Sequence, residues 1–194
     1  MSPTQIAERL RITAFHGFIG VLIVLLAVSV HAAADTRWLL IDTHERVLSV
    51  MEADKPLAHF EGLAFGVAGV GMKQRYGDGV TPLGTFRLGW INRASRFERF
   101  FGLDYPNREH AEQAWHDGRI DQVTYDRILS ALNAGRTPPQ NTPLGGAIGI
   151  HGIGSGDPDV HRLFNWTDGC IAMTNAQIRD LERWIRPGMT VVVR

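Results

Sequence analysis

Hydrophobic and polar positions alternate in short runs along most of the chain, the period-two pattern of half-buried strands. Arg37 to Asp42 and Arg46 to Met51 predict a hairpin around Thr43-His44-Glu45. Leu57 to Val70 predicts a longer extended stretch with Gly62 and Gly66 as bulges. The turn-forming run Gly77-Asp78-Gly79-Val80-Thr81-Pro82-Leu83-Gly84 precedes a strand predicted from Thr85 to Ile91. A short apolar strand from Ala147 ends on His151, and β-branched Thr190 to Val193 gives a final strand.

Two segments switch to a helical period. Thr174 and Gln177 fit a capping box, Ile178, Leu181 and Ile185 mark one apolar face, and Pro187-Gly188 stops the helix. Cys170 is thereby expected on the turn leading into that helix. From about Arg108 to Asn133 a second helical patch carries the stripe Tyr125, Ile128, Leu129 and Leu132 behind an Asp121 cap, and Gly118 divides it.

The N-terminal 34 residues have a different character. Arg9 and Arg11 precede an apolar core from Phe18 to Val30, and Ala32-Ala33-Ala34 supplies small residues for cleavage before Asp35. That order is a secretory signal; an uncleaved anchor is the alternative, because Ile12 to Ala34 is just long enough to cross a bilayer core of about 30 Å. Both place residues 35–194 outside the cytoplasm. Acidic and basic residues balance at 20 each, which gives no electrostatic case for nucleic acid, and membrane contact is expected only through an uncleaved N-terminal segment. The 21 glycines suit a turn-rich β body more than a bundle.

The chain has one cysteine, Cys170, in Thr167-Asp168-Gly169-Cys170-Ile171, and Ile150-His151-Gly152 lies upstream of it. Free cysteines are most often small buried hydrophobes. Here polar, turn-forming neighbours and an oxidising compartment favour a thiol kept for its chemistry. A free thiol has a pKa near 8.5, so little is thiolate at pH 7 without a base. His151 is the candidate general base and acid, titrating near neutrality, and the amides of Gly169 and Cys170 are candidate oxyanion donors. His161 is the rival base, with a solvent-facing loop position as its structural reading. His151, Asp157, Asp159 and His161 form an alternative zinc set, although Gly156-Asp157-Pro158-Asp159 makes a good turn by itself. His110 and His116 fall in the helical patch and carry no expected chemistry.

In chain order, Gly79-x-Thr81-Pro82-x-Gly84-x-Phe86, Tyr105-Pro106-Asn107, Ile150-His151-Gly152 and Thr167-x-Gly169-Cys170-Ile171 resemble the L,D-transpeptidase (YkuD-type) catalytic domain from Trp38 to Val193. The resemblance implies a mainly β, β-sandwich-like fold with a C-terminal helix and a helical insertion at about 107–144. It implies acyl transfer on peptidoglycan stem tetrapeptides through a cysteine thioester, with no metal or organic cofactor. It also implies that the Gly152 backbone carbonyl orients His151. Hydrolysis of the same thioester, a metal-dependent wall peptidase and a non-catalytic wall-binding module stay open as alternatives.

Two positions depart from the family pattern: Asp168 stands where many members have histidine, and Ala172 where many have arginine. Asp168 either faces the thiol and raises its pKa or hydrogen-bonds turn amides. Arg162 is either a replacement for the absent carboxylate-binding arginine or a solvated loop charge, and Thr167, Asp168 and Trp166 are the other candidate substrate-binding residues, with a packing role for Trp166 beside it. The insertion, ending in a proline-rich strap, is expected either to cap the cleft or to pack on the sandwich as decoration.

Overall fold

The computed structural model describes residues 36–194; the expected signal or anchor segment lies outside them. Strands β1 (Arg37–Asp42) and β2 (Val47–Glu52) form the expected hairpin, with Arg37 opposite Glu52 and Asp42 opposite Val47. β3 (Lys55–Glu61) then pairs antiparallel with β2 and stops at Gly62, whose φ is +73°. The bulge expected at Gly62 lies instead in the β2–β3 ladder, between Val50 and Met51. Beyond it the chain makes only isolated bridges before β4 (Val70–Gly71) pairs with β5 (Thr81–Pro82).

The long strand β6 (Gly84–Ser95) joins two half-sheets. Its first part, Gly84 to Arg87, pairs with β10 (Thr190–Val193), and its second, from Leu88, with β7 (Glu98–Leu103). A register shift between Leu88 and Trp90 marks the transition, where a strand bends from one sheet to the other. β7 pairs with β8 (Gly149–His151), and β8 runs parallel to β9 (Ile171–Ala172). The full order is β3-β2-β1-β10-β6-β7-β8-β9. Leu39, Ile41, Leu48 and Val50 from one half and Leu88, Phe101, Ile150 and Ile171 from the other enter one hydrophobic core. Each such side chain contributes about 1.5–3 kcal/mol on burial.

Four helices attach to this sheet. α1 (Arg108–His116) and α2 (Gln122–Asn133) fill the insertion; Asn107 and Asp121 cap them by accepting from His110 N and Thr124 N. Ala111, Ala114, Ile120 and Ile128 enter the core, so the insertion is part of the packed body. α3 (Pro158–Leu163) is a short helix where a loop was expected: Asp157 caps it, and Pro158 needs no amide partner in the first turn. α4 (Asn175–Glu182) has the expected capping box and buries Ile178 and Leu181. Cys170 therefore sits ahead of a two-residue strand, five positions before the helix.

Candidate active site

The turn carrying Cys170 is held from two sides by hydroxyls. Thr167 Oγ1 donates to the Cys170 carbonyl at 2.7 Å and accepts the Gly169 N–H at 3.2 Å. Thr81 Oγ1, from β5, donates to the same carbonyl at 3.3 Å and accepts the Gly66 N–H at 2.8 Å. Thr81 is fully buried, which gives the Thr-Pro-x-Gly signal a physical task. Gly169 has φ +127°, and a Cβ there would lie 2.6 Å from Val80 O, so the residue before the thiol has to be glycine.

His151 ends β8 and is 2% exposed. Its Nδ1 lies 2.7 Å from the Gly152 carbonyl oxygen. A carbonyl only accepts, so Nδ1 carries the proton and Nε2 presents the lone pair. Phe97 stacks on the ring with centroids 4.3 Å apart, Phe100 stacks at 6.1 Å, and Trp166 meets it edge-on at 5.7 Å and 70°. Burial pushes the imidazole pKa down to about 4, against the pull of Gly152; His161 and Arg96 depress it further. Gly152 is confined as well, since a Cβ would meet Asn175 Oδ1 at 2.6 Å and Phe97 O at 2.7 Å.

Cys170 and His151 line one cleft of about 610 Å³, together with Trp166, Thr167 and Asp168. Lys73, Tyr76 and Gly145 to Ala147 also line it. The half-buried Cys170 Sγ donates to Ala147 O at 3.4 Å. Burial pushes the thiol up to about 11; the Asp168 charge adds to this, while the Gly149 backbone and Lys73 oppose it. At rest the cleft thus holds a neutral thiol and a neutral imidazole. Such a pair supports nucleophilic attack with the proton moving to Nε2 as the new bond forms.

Lys73 is 2% exposed and ion-paired with Asp78. Burial works against the Asp78 carboxylate, but Lys73 and the amides of Val80, Arg75 and Gln74 hold its pKa below the usual range. This pair shapes the cleft wall through charges that sequence order alone does not connect to Cys170.

Several expectations need correction. Arg162 lies outside the cleft lining; its side chain is 68% exposed on α3 and pairs with Asp159 at 3.1 Å. The cations lining the cleft are Lys73 and Arg96. The Gly169 amide is occupied by Thr167 Oγ1 and is not a free oxyanion donor. With that amide held by a hydroxyl, Asp168 is left exposed at the cleft lip. His161 is buried, not solvent-facing, and its Nδ1 accepts from Trp166 Nε1 at 3.3 Å. It thereby anchors the indole that touches His151.

The alternative zinc set is not assembled either. Asp157 caps α3, Asp159 holds Arg162, and the described residues contain no group of three His, Cys, Asp or Glu side chains placed to share a metal. No residue of 107–144 lines the cleft, so the insertion does not cap it. It acts from behind. Gln140 Oε1 accepts the Ala147 N–H at 2.7 Å, and Pro143 O accepts the Tyr76 N–H at 2.8 Å.

The family model of the L,D-transpeptidase catalytic domain, YkuD, matches residues 36–193. No curated protein matches the chain in sequence. Among solved structures, the helical cell shape determining protein Pgp2 from Campylobacter jejuni, as a point mutant, aligns with a TM-score of 0.56 at 22% identity, over 84% of this chain and 48% of that one. A second Pgp2 structure gives 0.53 at 23% identity, over 82% and 47%. Bd1075 from Bdellovibrio bacteriovorus gives 0.52 at 18%, over 82% and 48%. At these identities the likeness is one of fold, and the chain spans about half the length of those proteins.

Proposed function

The chain belongs to the L,D-transpeptidase catalytic-domain family, and on that premise we propose that it transfers acyl groups of peptidoglycan stem tetrapeptides through a thioester on Cys170. The reading is carried by one observation: the His151 ring is fixed through Nδ1 on Gly152 O, which leaves Nε2 as the basic nitrogen in the cleft that holds the thiol. As Sγ bonds to the carbonyl carbon of the scissile amide, its proton passes to Nε2. The amide C–N bond then breaks, and Nε2 returns that proton to the departing amine. An incoming amine attacks the thioester, gives its proton to Nε2, and the proton goes back to the released thiolate. The Cys170 amide is the donor assigned to the oxyanion, since that of Gly169 is taken.

Asp168 supports a second reading. Its carboxylate stands at the cleft lip beside the nucleophile, where it is able to polarise a water, so that the thioester is hydrolysed in place of aminolysed. Residues 1–34 are assigned as the export signal, with the active site working at the cell envelope. Incubation with disaccharide-tetrapeptide, with and without an amine acceptor, tests the function by mass. Cross-linked dimer supports transfer and tripeptide alone supports hydrolysis. Absence of any acyl adduct on Cys170 sinks both.

A further inference from the structure

The turn between β6 and β7 consists of Arg96 and Phe97, and it lies over the cleft. Three arginines sit on this hairpin. Arg93 and Arg99 are both tied to Glu182, Nε to carboxylate oxygen, at 2.5 and 2.9 Å. Arg96 has no carboxylate partner among the described residues; its guanidinium carbon rests 4.7 Å from the Phe97 ring centroid and it lines the cleft. The other cleft-lining cation, buried Lys73, is already neutralised by its ion pair with Asp78. Of the two cations lining the cleft, Arg96 is thus the one without an ion-pair partner among the described residues; the Asp168 carboxylate lines the same cleft but is not paired with it.

We infer that Arg96 is a specificity-determining residue that binds the α-carboxylate of the departing amino acid, so that the bond cleaved is one whose leaving residue is the free C-terminus of the peptide. The inference rests on the acyl-transfer reading above. His151 delivers the proton to the leaving amine, so the leaving residue lies on the His151 side of the thiol. Phe97 stacks on His151 at 4.3 Å and carries Arg96 at 4.7 Å, which bounds the separation of guanidinium and imidazole. In an α-amino acid the amine and carboxylate are attached to one carbon, and hydrogen bonds to both fit within that bound. A guanidinium held on an aromatic face pairs with a carboxylate in the bidentate geometry that lysine lacks.

The full chain is assayed on two disaccharide-tetrapeptides that differ only at the C-terminus, one a carboxylate and one a carboxamide. The unaltered protein is expected to prefer the carboxylate by about 10- to 100-fold in kcat/KM, the usual range for one charge-assisted bond. Arg96→Gln should bring the two peptides to near equality, with the loss on the carboxylate peptide carried by KM. Arg96→Lys should keep part of the preference. A preference that survives in Arg96→Gln overturns the assignment alone, as does an equal loss on both peptides. Turnover of neither peptide by the unaltered protein overturns the acyl-transfer reading and this assignment with it.

Discussion

Gln140 and Ala147 are joined by a hydrogen bond of 2.7 Å from the Ala147 N–H to the glutamine side-chain oxygen, and the carbonyl of the same alanine accepts the Cys170 thiol at 3.4 Å. Ala147 has φ +52°, which costs a non-glycine residue about 1 kcal/mol, so the bond holds a strained peptide in place. Gln140 is anchored in turn, its Nε2 donating to Tyr105 O and Pro138 O at 2.8 Å each. The proline-rich strap thus reaches the nucleophile through one alanine.

Gln140→Leu should accordingly slow acylation of Cys170 by about tenfold and leave KM for the tetrapeptide near its original value. Single-turnover adduct formation followed by mass reads this. A rate equal to that of the unaltered chain would show that Ala147 is held by its neighbours alone.

Cys170→Ala should abolish adduct formation and turnover while keeping the thermal midpoint near native, since little volume is lost at a half-buried position. His151→Ala should cost about 10²–10⁴ in rate, the range of a positioned general base. Full activity in Cys170→Ala removes the thioester from the mechanism.

The pH profile should differ from the one expected of an imidazole titrating near neutrality. With His151 pushed down to about 4 and Cys170 up to about 11, both groups stay neutral from weakly acid to alkaline pH. kcat/KM should be flat between pH 5.5 and 8, a range set by those two values through the ordinary titration of each group, with the acid limb close to 4. Iodoacetamide should alkylate Cys170 slowly at pH 7 and about tenfold faster for each added pH unit, as the thiolate fraction grows. A limb near 6.5 in the rate would place His151 in a more solvated setting than this cleft.

Stability should also decline in acid. Burial lowers the pKa of His110 and His151 to about 4, and that of His161 also falls. The unfolded chain takes up protons from about 6.5 downward while the folded chain does not. Stability is therefore full above that pH and is lost as pH falls toward 4, by at most roughly 3 kcal/mol for each of the first two. Below that, Asp78 and Glu182, held in the charged form by Lys73 and by Arg99 and Arg93, continue the loss. Urea unfolding at pH 7 and pH 5 checks the sign.

Asp168→Asn tests the partition of the thioester. If the carboxylate activates water, the substitution raises the ratio of cross-linked dimer to tripeptide in the presence of an amine acceptor. An unchanged ratio at an unchanged rate leaves Asp168 as a surface residue of the turn.

Features written in neighbouring residues were legible from the sequence. The capping box of Thr174 and Gln177, the Asp121 cap and the β1–β2 hairpin each depend on side chains a few positions apart, and all three are present. β7 was not foreseen. Asn92 to Ala94 are exposed, the first two of them polar, so the apolar signal of β6 fades at the hairpin that continues it. α3 escaped because six residues carry too little periodicity, and with it went the burial of His161. In the site, His151, Cys170 and Gly152 belong to compact motifs. Lys73 and Arg96 reach the cleft, and Gln140 its supporting Ala147, only through tertiary packing, and each alone looks like an ordinary loop residue.

The place of β10 has a consequence for the order in which the molecule can be made. The last strand of the fold lies between β1 and β6, parallel to one and antiparallel to the other. Until residues 190–193 arrive, the first hairpin and the catalytic half-sheet have no common neighbour, and two strand edges stand open. A chain emerging from its N-terminus can form local hairpins but cannot close its core before nearly all of it has been delivered. If the chain is exported, as we propose, this delay would keep the polypeptide loose during transit and postpone assembly of the thiol and its base until the whole domain is on the far side.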